Sequence, residues 1–347
     1  MKIKLCLVLF LFAEIYNASA QKAYIANDFL KDYILYFVKQ TKDSETKEYY
    51  KLTENQTKKT VLEYGSIELS KSETLKTAKI TAFKSISESN IRVLGDVNFD
   101  GRKDIVIHET EINDDGCYTA QATAHVFINT PGNFLSSPSI SRLYNDAYCV
   151  RGGSFEIDSK NKRVITSSSG GAALHVSSYY SISGIEAKEI AAFEERPDAF
   201  SPFITITGKK WKDNNWVSVS TLSVYEPGLD KVFSFDTKNG KGRVLLFKTK
   251  DILYYAFQQN DEYKFISFAY PSSSEKADKS TFKFRKQNTA YELEFNSGPI
   301  KYIAYETPTK TGIKIYVNGK LSDWQGTAKT GTLAALANTD FKNVIKE

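Results

Sequence analysis

The sequence predicts an all-β protein built from two antiparallel β domains. The first is expected as an irregular sandwich or propeller-like sheet, the second as a sandwich or barrel closed by a short C-terminal helix. Three observations carry that expectation. The 21 Tyr and 22 Phe fall largely in alternating segments, the pattern of strands with one face on a core. Clusters of Gly, Asn, Asp and Pro separate those segments at short intervals, as turns do. A length of 347 residues suggests two domains. The expected divisions are a leader over 1–20, a first domain over 21–196, a linker and hairpin over 197–228, and a second domain over 229–347.

The chain opens with Met1-Lys2-Ile3-Lys4, continues through the apolar run Leu5 to Ala13, and reaches Ala18-Ser19-Ala20. A basic start, a short apolar core and an A-x-A site describe a secretory signal peptide cleaved after Ala20. The run is too short to span a membrane. Export would place the protein in the periplasm or outside the cell. Cys6 leaves with the leader, so Cys117 and Cys149 remain as the cysteines of a chain in an oxidising compartment. A Cys117–Cys149 disulfide is their simplest use. On the chain-entropy model such a closure contributes about 3–4 kcal/mol.

Tyr33 to Val38 is a strong strand, and Tyr49 to Leu52 is its expected hairpin partner. Thr60 to Tyr64, Ser66 to Leu69 and Lys79 to Phe83 are weaker strand segments in a lysine-rich stretch that offers no chemistry. Ile91 to Leu94 then leads into Asp96-Val97-Asn98-Phe99-Asp100-Gly101-Arg102-Lys103-Asp104, which ends in the β-branched run Ile105-Val106-Ile107. This is the pattern D-x-N-x-D-G-x-x-D, with oxygen side chains at relative positions 1, 3, 5 and 9 and glycine at 6. A calcium ion needs several oxygens at about 2.3–2.6 Å, and glycine allows the sharp turn that wraps them round it. Asp96, Asn98 and Asp100 would supply side-chain oxygens, Arg102 its carbonyl, and Asp104 a direct or water-mediated contact. An EF-hand has a bidentate glutamate at position 12, and here that place holds Ile107. The remaining ligand must come from elsewhere, and the flanks read as strands.

Asn113 to Gly116 is a turn, Cys117 to Ile128 a strand, and Thr130 to Asn133 a Pro-Gly turn. Leu143 to Cys149, Ser154 to Ile157, Arg163 to Thr166, Leu174 to Ser181 and Glu189 to Phe193 continue the series of short segments, with a Ser/Gly loop over Ser167 to Gly171. Pro197 to Pro202 marks the expected domain boundary. A hairpin follows, Ile204 to Thr207 with Trp216 to Val224. Val232–Phe235, Arg243–Lys248, Ile252–Phe257, Tyr263–Tyr270, Thr281–Arg285, Tyr291–Phe295, Ile300–Tyr305 and Ile313–Val317 then alternate with turns such as Asn318-Gly319. Lys329 to Ile345 is expected to close with a short helix whose apolar face holds Leu333 and Leu336.

Several function classes lack support in the residues. A formal charge of +5, dispersed along the chain, is no nucleic-acid footprint. His108, His125 and His175 are scattered, without the spacing of a zinc site. No G-x-S-x-G and no cysteine outside the expected disulfide offers a nucleophile. A glycoside hydrolase would need two carboxylates facing each other across a cleft. Glu109 with Glu111 lie on one strand, and Glu194 with Glu195 lie beside the expected linker, so both pairs read as solvated charges. The chain is expected to be a binding protein and not an enzyme.

Leu94 to Ile105, with Val126-Phe127-Ile128-Asn129, Phe155-Glu156-Ile157-Asp158 and Ser178-Tyr179-Tyr180 after it, resembles a family of secreted Gram-negative β-proteins. These are calcium-binding periplasmic proteins, known partly as immunity proteins or inhibitors of lysozyme-like effectors. The resemblance covers roughly residues 90–195, and its calcium motif is shared with FG-GAP repeats and dockerins. It implies structural calcium at Asp96, Asn98, Asp100, Arg102 and Asp104, and a cell-wall hydrolase as protein partner. In such families a loop plugs the glycosidase cleft. The inhibitor pattern S-G-x-x-Y is not met by Ser169-Gly170-Gly171-Ala172-Ala173, and Y-x-x-x-K-G is absent, so no inhibitory residue is carried over. Ser169, Gly170, His175 and Tyr179, in and after the Ser/Gly loop, are the expected partner contacts. An envelope module that binds glycan or protein without inhibition is one alternative, and a glycoside hydrolase is the other.

Overall fold

The computed structural model describes residues 20–42, 45–65, 80–82, 90–109, 123–150, 152–171, 174–225, 228–278 and 281–347. The leader before Ala20, Cys6, the Ser66–Leu69 segment and Cys117 lie outside them. The chain is all-β, as expected, with one α-helix among the described residues, and it divides into two compact units. Unit 1 comprises Met1–Asn145 with Ser183–Glu186, and unit 2 comprises Asp146–Ile182 with Ala187–Glu347.

In unit 1, β1 (Ala20–Leu30), β2 (Tyr33–Lys42), β3 (Glu45–Glu54), β4 (Thr60–Gly65) and β5 (Ile80–Ala82) form a 5-stranded sheet in the order β4-β3-β2-β1-β5. The alternation that predicts β2 also sets its register. Leu35 pairs with Leu52 and Phe37 with Tyr50, so their side chains share one face. The Phe37 and Tyr50 rings stack with centroids 5.0 Å apart. A second, 4-stranded sheet runs β6 (Ile91–Gly95), β7 (Asp104–His108), β8 (Ala124–Thr130), β9 (Asn133–Ser136). Its Ile91, Ile105, Ile107, Phe127 and Phe134 enter the same core as Leu35, Phe37, Tyr50 and Leu52. The unit is therefore a sandwich about one apolar layer.

Residues Pro138–Tyr148 form the α-helix α1, where the sequence reading placed Leu143 to Cys149 among the strands. Ser137 and Pro138 explain the difference. Proline at the first helical position gives up an amide that has no partner there, and the serine before it caps an amide of the first turn. The Ser137 hydroxyl oxygen accepts from the Ile140 amide at 3.2 Å. Ile140, Tyr144 and Ala147 then recur at helical spacing and are buried. The helix is tied to β8 by Ser141 Oγ, which accepts from the Val126 amide, and by Asn145 Oδ1, which accepts from the Ala124 amide.

In unit 2, hydrogen bonding runs through sixteen strands. β10 (Ser154–Asp158), β11 (Arg163–Ser169), β12 (His175–Ser183), β13 (Glu186–Pro197), β14 (Ile204–Lys212) and β15 (Asn215–Ser223) follow each other in order. β19 (Ile266–Tyr270), β18 (Ile252–Gln259), β17 (Gly242–Thr249) and β16 (Asp230–Thr237) come next in the sheet, followed by β24 (Lys320–Gly331), β23 (Thr311–Val317), β22 (Ile300–Glu306), β21 (Ala290–Ser297), β20 (Phe282–Gln287) and β25 (Val344–Lys346). Phe233, Phe235, Tyr255, Phe282, Phe295 and Leu333 are among the residues of its largest core cluster.

The expected boundary at Pro197–Pro202 falls within a continuous ladder, because Pro197 pairs with Ile204 and the two prolines mark a hairpin bend. Phe203, just after the bend, is buried against Phe247 and Tyr254. The compact division instead falls at Asp146, with residues 183–186 returning to unit 1. The β14–β15 hairpin turns at Asp213 and Asn214, both at positive φ (49° and 62°), the conformation a two-residue turn needs. Trp211 and Trp216 pair across it edge to face, with centroids 5.5 Å apart. Trp324 on β24 packs against Phe257.

β24 was not expected, because its exposed Lys, Ser, Asp, Gln and Thr residues leave no apolar alternation to detect. The expected C-terminal helix is a 3-10 turn over Leu333–Ala337, which buries Leu333 and Leu336 as the sequence suggests. Its start is held by the buried Glu306 carboxylate. That group accepts from the Thr332 hydroxyl (2.7 Å) and the Leu333 amide (2.6 Å) and pairs with Lys329.

Candidate metal centre

The nine residues from Asp96 to Asp104 join β6 to β7 in unit 1. Phe99 (φ 62°) and Gly101 (φ 89°) take the left-handed backbone that closes the loop, and glycine does so without strain. A Cβ on Gly101 would meet nothing within 4 Å, so the need there is conformational. The carboxylates fold back on the loop's own amides. Asp96 Oδ1 accepts from Asp100 N (3.0 Å) and Oδ2 from Gly101 N (2.8 Å). Asn98 Oδ1 accepts from Asp100 N (3.3 Å), and Asp100 Oδ1 accepts from Arg102 N (2.9 Å). The Arg102 guanidinium reaches Asp100 Oδ2 at 2.7 Å and the Asn129 carbonyl at 2.9 Å.

Asp104 is fully buried and stands behind the loop. Its Oδ2 accepts from Val97 N (2.7 Å) and its Oδ1 from Asn129 N (2.8 Å), so it clasps the loop to β8. Burial pushes its carboxyl up to about 6. The amides of Asn129 and Val97 pull the other way, and the charges of Asp100 and Asp96 add to the rise.

Asn129 is the residue that sequence reasoning missed. It is 3% exposed, and besides the bond to Asp104 it accepts from Tyr33 Oη at 3.1 Å and donates to the Lys103 carbonyl at 3.3 Å. Nothing near Asn129 in the sequence signals this, because only the pairing of β7 with β8 brings it to the loop.

The donor chemistry suits a hard cation. Carboxylate and amide oxygens from Asp96, Asn98 and Asp100, with the Arg102 carbonyl, belong to one turn, and both Asp96 oxygens and Asp100 Oδ1 keep a lone pair beyond the amide each receives. Asp104 is already committed to two amides. Among the described residues no group of three or more His, Cys, Asp or Glu side chains is placed to hold a metal ion.

The expected partner contacts Ser169, Gly170, His175 and Tyr179 belong to unit 2. Ser169 and His175 pair across the end of the β11–β12 hairpin, and Gly170 N bonds to the Leu174 carbonyl at 2.9 Å. His175 is exposed. Tyr179 is instead packed among Phe193, Tyr263 and the Arg163 guanidinium, which lies 4.6 Å from its ring centroid. Burial raises its hydroxyl pKa. Cys149 is disulfide-bonded and directly follows α1, while Cys117 lies outside the described residues. Of the acid pairs, Glu109 accepts from Tyr64 Oη at 2.5 Å and has His125 Nε2 at 3.3 Å, and Glu194 pairs with Arg196. Glu111 lies outside the described residues. His108 is held below its ordinary pKa by burial, then by Arg92, and contacts Tyr144 Oη at 3.1 Å.

No protein-family model matches the chain. No curated protein matches it either. Among solved structures the chain is similar to one described as a Xanthomonas type IV secretion system related protein. The identity is 13%, the match covers 59% of this chain and 95% of that one, and the TM-score is 0.36.

Proposed function

We propose that this is an exported binding protein, stabilised by calcium in unit 1, that acts as an inhibitor or immunity protein against a lysozyme-like peptidoglycan hydrolase. What supports the calcium part is the Asp96–Asp104 turn, which carries the oxygens of Asp96, Asn98 and Asp100 on one short loop between two strands of a packed sandwich. Calcium there would add positive charge beside the Arg102 guanidinium, which pairs with Asp100. A Cys117–Cys149 disulfide and cleavage after Ala20 belong to the same reading, since both suit an oxidising compartment outside the cytoplasm. The partner part rests on the family resemblance over residues 90–195. Ser169, Gly170 and His175 form the contact at the turn end of the β11–β12 hairpin, with Tyr179 anchoring it from the core. An envelope module that binds glycan or protein without inhibiting anything is the second reading.

Calcium binding is tested by thermal unfolding of the purified protein with calcium or with chelator. At calcium about a hundredfold above its Kd, mass action predicts about 2.7 kcal/mol of added stability. Asp100→Ala should abolish the gain. If the wild type melts identically in calcium and chelator, the cation is not bound and the loop is a turn only. Inhibition is tested separately by the rate at which a lysozyme-like hydrolase clears peptidoglycan. The protein should slow clearance, and a Ser169→Tyr, His175→Ala double variant should do so at least tenfold less well. Unchanged clearance with calcium binding intact would remove the inhibitor reading and leave the calcium reading standing.

A further inference from the structure

Unit 2 contains a polar cavity that the reading above does not use. It holds about 320 Å³ and is lined by Asp236, Arg243, Gln258, Gln259, Asn260 and Lys264, with Thr237, Gly240 and Gly242 completing the wall. Asp236 pairs with Arg243 between β16 and β17, and Arg243 pairs with Gln258 between β17 and β18. Directly paired residues share a sheet face, so a carboxylate, a guanidinium and an amide stand in one row across three strands.

Gln258 is the unusual member. It is 6% exposed as a residue, yet its amide atoms open into the cavity, where a bound molecule would meet them. The neighbouring groups are engaged. Arg243 Nη2 donates to Ser234 Oγ at 3.2 Å, its Nε lies 3.7 Å from Asp236 Oδ1, and Lys264 Nζ donates to Asn260 Oδ1 at 3.0 Å.

We propose that this cavity binds a single sugar ring, with Gln258, Asp236 and Arg243 as its hydroxyl contacts. The wall offers no apolar side chain, which excludes a lipid tail or an aromatic ligand. An anion is disfavoured because Asp236 stands in the wall and the cations beside it already have oxygen partners. Hydroxyl groups both donate and accept, and a row of carboxylate, guanidinium and amide answers both roles. The volume is at the small end for ligand sites, which suits one ring and not a chain of them.

The test uses the purified full chain and saturation-transfer NMR with glucose, galactose, mannose and N-acetylglucosamine offered singly, each with and without inorganic phosphate. At least one sugar should show transfer with a Kd on the order of 1 mM. Gln258→Leu should weaken it at least tenfold while the melting temperature holds or rises. Should Gln258→Leu fail to fold, Asp236→Asn on the exposed side of the cavity should give the same loss. Transfer from none of the sugars overturns the proposal. So does equal transfer in Gln258→Leu and Asp236→Asn, or binding of phosphate alone, which would make the cavity an anion site. None of these readouts depends on calcium or on a hydrolase, so failure here and failure of the proposed function are separable.

Discussion

At the residue scale, Asp104 shows how one side chain can be expected in one role and found in another. Its position at the ninth place of the loop suggests a ligand, and the structure gives it two backbone amides to hold. Removing it would leave both Val97 N and Asn129 N buried without an acceptor. Each such loss costs about 1–3 kcal/mol, so Asp104→Ala is expected to destabilise unit 1 by roughly 2–6 kcal/mol. Chemical denaturation in chelator checks this with calcium out of the comparison. Glu306 gives a pH-dependent case. Burial pushes its carboxyl up, but Lys329, the Thr332 hydroxyl and the Leu333 amide outweigh that and hold it below the ordinary glutamate value. A depressed carboxyl adds stability above its unfolded pKa and loses it as pH falls through the folded one. Wild type should therefore lose more stability than Glu306→Gln as pH falls from neutral through the acid range, and melting curves against pH would show the two converging. The loop was legible because its chemistry sits within nine adjacent residues. Asn129 was not, since its four contacts come from strands distant in sequence.

At the scale of elements, alternation made most strands legible. Where it was absent or carried by other signals, the reading went astray. β24 is polar along most of its length and takes its place from pairing with β16 and β23, which no local pattern reveals. The helix α1 did carry a local signal in Ser137-Pro138, but it begins five residues before the apolar segment that was read as extended. Ser137 also donates to the Ile185 carbonyl at 2.6 Å, so its hydroxyl both caps the helix and ties down residues 183–186 of unit 1. Ser137→Ala should cost about 1–2 kcal/mol, at the upper end for a lost N-cap. Ser137→Thr should recover most of that, and urea unfolding of the three proteins would rank them. A Ser137→Ala protein as stable as wild type would mean that the proline alone starts the helix.

At the scale of the whole molecule, each unit has its own core, and the expected boundary was misplaced because two prolines in a hairpin bend look like a linker in sequence. Chains with separate cores often unfold in more than one step. Calorimetry is expected to resolve two transitions, and calcium should move the one belonging to unit 1 and leave the other in place. A single transition that shifts as a whole would mean that the units unfold together. The same division has an optical consequence. All three tryptophans of the chain, Trp211, Trp216 and Trp324, belong to unit 2. Intrinsic indole emission is therefore a private reporter of one half of the molecule. It will follow the β14–β15 hairpin and β24 while the half that holds the Asp96–Asp104 turn melts unseen, whereas far-ultraviolet dichroism will register both.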